Sequence, residues 1–399
     1  MNKKSLVLAM AAAILMTFAG CKKIEQKMMR KIVKLGPLNE MINTSDNEFG
    51  PVISANGKVM YFTSDRKGGV GGQDIWKTRK ITGLWSAPVN LGAPLNTPSD
   101  EGIDTFSQDE KSLYLTSDAR PGGLGKNDIY VSHLVNGKWT EPQNLGPPIN
   151  TPYNDANASL SADGKTLYFV SDRPGGVGGM DIWFSQLGPD GKWGAPKNLG
   201  EPVNTPDWEG FVFIAPDGVT LYFSSNGHGG YGGADIFRSR FQNGEWSEPE
   251  NLGDKVNSPG NDTYFSIPGS GDVVYLSTSR EGGRGKNDII ELPLPTVFQP
   301  KKIVIITGKV VDKDTGKPMK AWAKIKYRPT RQDLAMAETR PNGQFRISFA
   351  PQQELVLMVY TDEEGYNPWY EALSLDLNKE NQVLIRNLEM IKGMKPNLK

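Results

Sequence analysis

Acids and bases recur at a fixed spacing along this 399-residue chain. Glu48, Glu101, Asp155, Glu209 and Asp262 each stand at the start of a short apolar run. Further along each copy comes a second polar set: Asp65-Arg66, Asp118 with Arg120, Asp172-Arg173, Asn226 with His228, and Ser279-Arg280. Gathered in one place, these groups have two uses. As a ring of alternating charge they recognise a polar partner, a peptide or a glycan, and form a candidate binding face. Alternatively each acid pairs with a neighbouring arginine and keeps the copies in register, for about 0–1 kcal/mol per partly exposed pair. Repetition in every copy is what a folding signature looks like.

Chemistry that needs unequal groups must come from positions where the copies differ. Glycoside hydrolysis needs two carboxyls flanking one bond, one of them with a raised pKa. The asymmetric positions are Asp104, which reads as a solvated channel residue, and Trp208, Glu209, His228 and Tyr231. A Ser-His-Asp set has little to draw on, because the chain has only two histidines, His133 and His228. One cysteine gives no disulfide framework and no thiolate cluster. Gly-Gly-x-Gly-Gly runs allow backbone N–H groups to approach an anion. Here they lack a Lys-Ser/Thr ending and open no helix, so the phosphate-loop reading fails. They read instead as tight turns capped by Asp74, Asp128, Asp181, Asp235 and Asp288, expected to be partly buried and to accept loop N–H bonds. Calcium suits Asp-rich glycine loops, but Arg and Lys stand among these acids. No catalytic residue, metal or cofactor is expected, and the chain is read as not an enzyme. Lys+Arg and Asp+Glu balance at 45 each, which removes any basic footprint for nucleic acid.

The elements that position these groups follow from the repeat. The five capping aspartates are 54, 53, 54 and 53 residues apart, a period that signals a propeller, solenoid or array. One unit, 155–200, reads as four strands: Asn157–Ser161, a turn at Asp163-Gly164, Thr166–Ser171, the glycine loop, Asp181–Gln186, and a Trp-led strand Trp193–Leu199. Four antiparallel strands per unit is the composition of a propeller blade. Trp85, Trp139, Trp193 and Trp246 open four such outer strands and are expected to pack between blades. The fifth copy lacks one. Residues 31–36, closing in Leu35-Gly36 as the repeats close in Leu-Gly, are expected to supply it and so close a ring of five blades over 31–292, removing the free sheet edges. In such a ring the connection into the inner strand and the loop between strands two and three open on the same side.

At the N-terminus, Lys3 and Lys4 precede an apolar run, Leu6–Met16, and small residues before Cys21. This reads as a signal of residues 1–20, too short for a stable span, with a tether over 21–30. Residues 293–301 carry Pro293, Pro295 and Pro300 and read as a stiff extended linker. Beyond them, alternating runs at 303–311, 321–327, 344–349, 355–360, 373–377 and 383–388 make a small β-sandwich over 302–390, with a polar tail at 391–399. Its aromatic cluster, Tyr366, Pro368, Trp369 and Tyr370, is either an assembly surface or a loop tucked onto the core.

Ser161–Phe169 followed by Ser171–Trp183 resembles the WD40-like propeller repeats of bacterial envelope proteins. Gly308–Asp312, Thr315–Pro318 and Pro341–Phe345 resemble a carboxypeptidase regulatory-like, transthyretin-like domain. Thr17–Cys21 is similar to a lipobox, which implies lipid attachment at Cys21; Lys22 and Lys23 then imply the outer membrane, on its periplasmic side. The series resembles Bacteroidetes-type envelope lipoproteins, some of the type IX secretion and gliding kind. Without an outer-membrane-protein-A-type domain, peptidoglycan binding is not carried over. The expectation is therefore an all-β chain, a five-bladed β-propeller followed by a transthyretin-like sandwich. It would serve as a lipid-anchored scaffold that docks envelope proteins or glycans. A glycan-active propeller enzyme is the alternative, and a purely structural assembly subunit a third.

Overall fold

Three strands recur in each repeat because apolar and β-branched residues recur there. The inner strands are Glu48–Ile53, Glu101–Phe106, Asp155–Leu160, Glu209–Ile214 and Asp262–Ser266. Each pairs antiparallel with a second strand, at Val59–Ser64, Ser112–Ser117, Thr166–Ser171, Thr220–Ser225 and Val273–Thr278. The third strands begin at the capping aspartates: Asp74–Ile81, Asp128–Val135, Asp181–Gln186, Asp235–Gln242 and Asp288–Pro293. The structure, a computed structural model, describes residues 38, 40–107, 110–376 and 382–393. Most second strands are buried on both faces, as in Thr220–Ser225, because each sheet is covered on both sides by its neighbours. The outer edge departs from the expected single strand. It is broken into Leu84–Trp85 and Val89–Asn90 in the first sheet, with the same split at Trp139 and Trp246. Pro88, Pro142, Pro196 and Pro249 stand at the breaks, and a proline has no N–H to donate to a ladder.

The five sheets pack in cyclic order, each inner strand against the inner strands of the next and the previous sheet, and the first against the last. An apolar layer fills each interface. The layer between last and first sheets joins Tyr275 and Ile289 to Met60, Phe62 and Trp76, with Leu38 and Ile42 inserted. A buried asparagine clasps every interface. Asn96, Asn150, Asn204 and Asn257, each just before an inner strand, donate to the carbonyl and accept from the N–H of Ile75, Ile129, Ile182 and Ile236 on the preceding sheet. Asn43 does the same to Ile289, 246 residues away, at 2.8 and 2.9 Å. This clasp sits before the first repeat and acts on the last. The strand expected at 31–36 lies outside the described residues, as does Cys21, and among the described residues the last sheet has three strands.

Residues 293–301 are not a free extended linker. The chain makes a single 3₁₀ turn at Thr296–Phe298 and lies against the fourth sheet. Tyr222 donates to the Phe298 carbonyl at 2.5 Å, Arg238 donates to Val297 O, and Arg240 donates to Gln299 O at 3.1 Å. Two four-stranded sheets follow. Val304–Asp312 pairs with Gln344–Phe349, Gln382–Ile385 and Leu388–Met390; Trp322–Tyr327 and Leu355–Tyr360 form the centre of the other. They share one core that includes Val304, Ile306, Ile325, Phe345 and Leu357. Gln332–Glu338 is an edge strand the sequence concealed, since its residues are largely exposed and carry no apolar alternation. The last strand of that sheet is Trp369–Leu373, ending where the run 373–377 was expected to begin. Of the aromatic cluster expected to be a surface or a tucked loop, Trp369 and Tyr370 lie on this strand, Tyr366 precedes it, and Tyr366 and Trp369 pack onto the core; Tyr366 donates to Asp312.

Candidate docking face and central channel

Strand register aligns one acid, one hydroxyl and one aspartate across the same end of every sheet: Glu48–Ser64–Asp74, Glu101–Ser117–Asp128, Asp155–Ser171–Asp181, Glu209–Ser225–Asp235 and Asp262–Thr278–Asp288. All five acids of the first column are fully buried. Each accepts the backbone N–H and hydroxyl of a Thr or Ser four residues earlier, as Glu209 does from Thr205 at 2.7 and 2.6 Å. Four meet an arginine: Arg66–Glu48 at 3.1 Å, Arg120–Glu101 at 3.4 Å, Arg173–Asp155 at 2.6 Å and Arg280–Asp262 at 2.8 Å. The guanidinium also donates to carbonyls of the segment entering the same sheet, as Arg173 does to Pro148 O at 3.1 Å and to Ile149 O. Arg66 and Arg173 lie over Phe62 and Phe169, both at 4.9 Å. In the fourth sheet His228 takes the arginine's place and meets Val203 O at 2.9 Å. Burial pushes the carboxyls of Glu48, Glu101 and Glu209 up in pKa against their hydrogen bonds, and lowers that of Arg66.

This corrects the candidate binding face. Glu48, Glu101, Asp155, Glu209 and Asp262 have no surface to offer, and Arg66, Arg120, Arg173 and Arg280 are spent on them. The register role is the one the geometry supports. Asp65, Asp118, Asp172 and Asn226 do reach solvent but are also engaged, accepting the N–H of Asn47, Asp100, Asn154 and Trp208.

The glycine loops are built by the capping aspartates, which are buried and not merely half-covered. Each accepts the N–H of the loop's central residue at 2.5–2.6 Å: Val70, Leu124, Val177, Tyr231 and Arg284. The next glycine has a different duty. A Cβ on Gly178 would stand 2.2 Å from Thr205 O, and one on Gly71 2.2 Å from Ser99 O, so glycine lets two sheets' backbones touch. With its N–H pinned, the central residue turns its side chain outward. Val70, Leu124, Val177 and Tyr231 are 36–52% exposed, on the end of the ring where Met41 and Tyr153 are also exposed. In the fifth loop Arg284 pairs instead with Glu40. The sequence displayed these tips as the variable position of each Gly-Gly-x-Gly run; their outward display required the carboxylate cap to be seen.

At the axis of the ring every inner strand bulges, and the bulges bring Gly50, Asp104, Asn157, Phe211 and Tyr264 to one cavity. The cavity proper is small, about 40 Å³, and opens to solvent at its mouth. Tyr264 stacks on Phe211 with ring centroids 3.7 Å apart, over the face that Gly50 leaves bare. Thr116 donates to Asp104 at 2.9–3.0 Å, and Ala158 N–H also bonds it. Asp104 is thus a held group, not only a solvated one, and burial raises its pKa to about 7. Burial, with Asp104 next, also pushes the Tyr264 phenol up. Of the other unequal positions, Trp208 packs on Phe211 at 5.3 Å, Glu209 and His228 belong to the buried clasp, and Tyr231 is a loop tip.

No protein-family model matches the chain, and no curated protein matches its sequence. Solved structures do match. TolB from Acinetobacter baumannii aligns at a TM-score of 0.41 and 15% identity, over 76% of this chain and 66% of that one, just under two thirds of its length. An exo-β-1,3-galactanase from Clostridium thermocellum aligns at 0.42 and 12% identity, over 85% and 91%. A Bacteroides ovatus protein titled xyloglucan PUL GH43B aligns at 0.43 and 13% identity, over 82% and 89%. An α-L-arabinofuranosidase from Podospora anserina is also among the matches. The expectation that the chain is not an enzyme is therefore withdrawn, since glycoside-cleaving proteins stand among the neighbours. The antiparallel sheets packed in cyclic order make this a β-propeller-type, all-β protein.

Proposed function

We propose that this protein is a five-bladed propeller with a transthyretin-like sandwich, held to the outer membrane through Cys21, that docks a protein partner of the cell envelope on its loop face. One observation carries the reading. Four apolar side chains, Val70, Leu124, Val177 and Tyr231, stand exposed at equivalent loop positions, each fixed by a hydrogen bond from its own backbone to a buried aspartate. Repeated at equivalent places on four sheets, these tips offer a partner matched apolar contacts, and fixing them in advance lowers the entropy lost on binding. Mild crosslinking and pull-down from membranes tests it, comparing the native chain with the Val70→Asp, Leu124→Asp, Val177→Asp triple variant. Loss of partners at an unchanged melting temperature supports docking at the tips. Unchanged partners would move the search to the sandwich, where Trp322 and Tyr360 stack at 5.5 Å on the sheet face away from the core.

A glycan-active reading has one observation in its favour, the raised pKa of Asp104 in the channel, as a general acid requires. Among the described residues lining that cavity Asp104 is the one carboxyl, so its partner acid would have to come from elsewhere. Released reducing ends from a glycan panel, absent with Asp104→Asn, would establish it.

A further inference from the structure

The repeats agree wherever a residue holds sheets together and disagree at the axis. Gly50, Asn157, Phe211 and Tyr264 stand two residues after their column acid, each at positive φ, whereas the second strand keeps Ile103 in register there and bulges one residue later, at Asp104, where the other strands have Pro51, Ala158, Val212 and Phe265. A purely structural channel plug has no need of a carboxyl. Among the described residues the cavity wall holds no Lys, Arg or His, and the titratable groups facing Asp104 from the packed strands reduce to Tyr264. Thr116 and the Ala158 N–H orient the carboxyl but bring it no charge. The Phe211–Tyr264 stack shares the cavity wall with Asp104. A carboxylate without a counter-ion next to aromatic rings is complementary to an organic cation, which gains both a charge-assisted hydrogen bond and ring attraction. We propose that the central channel is a receptor site for a single organic cation, an ammonium or guanidinium group seated between Asp104 and the Phe211–Tyr264 pair. Burial keeps Asp104 partly protonated near neutral pH, and a bound cation would drive that proton off.

The same chemistry comes from a free amine or from a lysine or arginine of a docked polypeptide. Titration calorimetry of the full chain with ethylguanidinium, with its neutral counterpart ethylurea, and with an end-blocked Gly-Arg-Gly peptide separates these. Saturable binding of ethylguanidinium but not ethylurea is expected, weakened at least tenfold by Asp104→Asn and strengthened as pH rises from 6 to 8. Proton release should appear in buffers of different ionisation enthalpy. Peptide binding at least as tight as ethylguanidinium assigns the site to a polypeptide side chain; binding of the small cation alone assigns it to a free amine. Equal binding of ethylurea, no saturable cation binding, or full binding by Asp104→Asn would overturn the proposal. If that variant does not fold, the cation-against-urea comparison and the pH series on the native chain still decide.

Discussion

A buried ion pair tolerates loss of one partner poorly, because the other is left charged without water. Arg173 is mostly buried against fully buried Asp155. Arg173→Ala should therefore lower unfolding stability by about 3–5 kcal/mol in a urea melt. A change below ~1 kcal/mol would return Arg173 to the surface role once open to it. Asp104, like the arginine-paired Glu48 and Glu101, is pushed up in pKa by burial, but among the described residues it has no cation to offset that burial. Its folded pKa, about 7, lies above its unfolded value, so the native state holds a proton that the unfolded chain has released. The resulting stability is present at low pH and lost as pH rises from ~4 to 7. Asp104→Asn should flatten that slope, by on the order of 2 kcal/mol once channel water is allowed for. Parallel slopes for both chains would mean that Asp104 titrates normally.

At the level of elements, the loops work through contacts between sheets. Gly178→Ala places a methyl against Thr205 O and should cost about 1–3 kcal/mol, whereas Gly179→Ala, 3.5 Å from its nearest neighbour, should cost much less. Equal melting temperatures for the two would show that the loops yield freely. Asn43 and Asn204 make the same clasp at different interfaces. Removing either side chain strands a buried donor and acceptor, at about 1–3 kcal/mol for each group. Matched losses for Asn43→Ala and Asn204→Ala are expected, and a silent Asn43→Ala would mean that the last interface is closed by other contacts.

For the whole molecule, the segment 297–299 is tied to the fourth sheet by Tyr222, Arg238 and Arg240. Tyr222→Phe removes one of these ties and should hasten limited proteolysis within 295–302 while leaving the sheets intact. Unchanged cutting would show that the arginines suffice. The loop tips belong to this scale as well. Single surface substitutions such as Val177→Asp should move stability by no more than about 0.5 kcal/mol, so loss of partners in the triple variant reads binding and not folding.

How much of this was legible depended on whether a residue acts within its repeat or across repeats. The period, the three main strands, the glycine turns and their capping aspartates could be read from the chain, since their bonds close between chain neighbours within one repeat, Val59 with Arg79 and Thr166 with Gln186 being among the widest strand pairs. The Asn-Thr/Ser pair before each inner strand was equally periodic, at Asn43, Asn96, Asn150, Asn204 and Asn257, but its meaning lies in a sheet it reaches only after folding. The acid column was visible too; whether it faced solvent or arginine was a matter of burial, which register alone settles. Gln332–Glu338 carried no apolar alternation because an exposed edge strand needs none. Sequence thus determined a five-fold repeat of antiparallel strands and the residues that make its turns. The tertiary structure alone decided that the repeated charges are buried in clasps and that the variable loop residues are displayed. It also decided that a glycine gap, an acid, an amide and two rings, some fifty residues apart in sequence, share one cavity, because only closure of the sheets around an axis brings their bulges together.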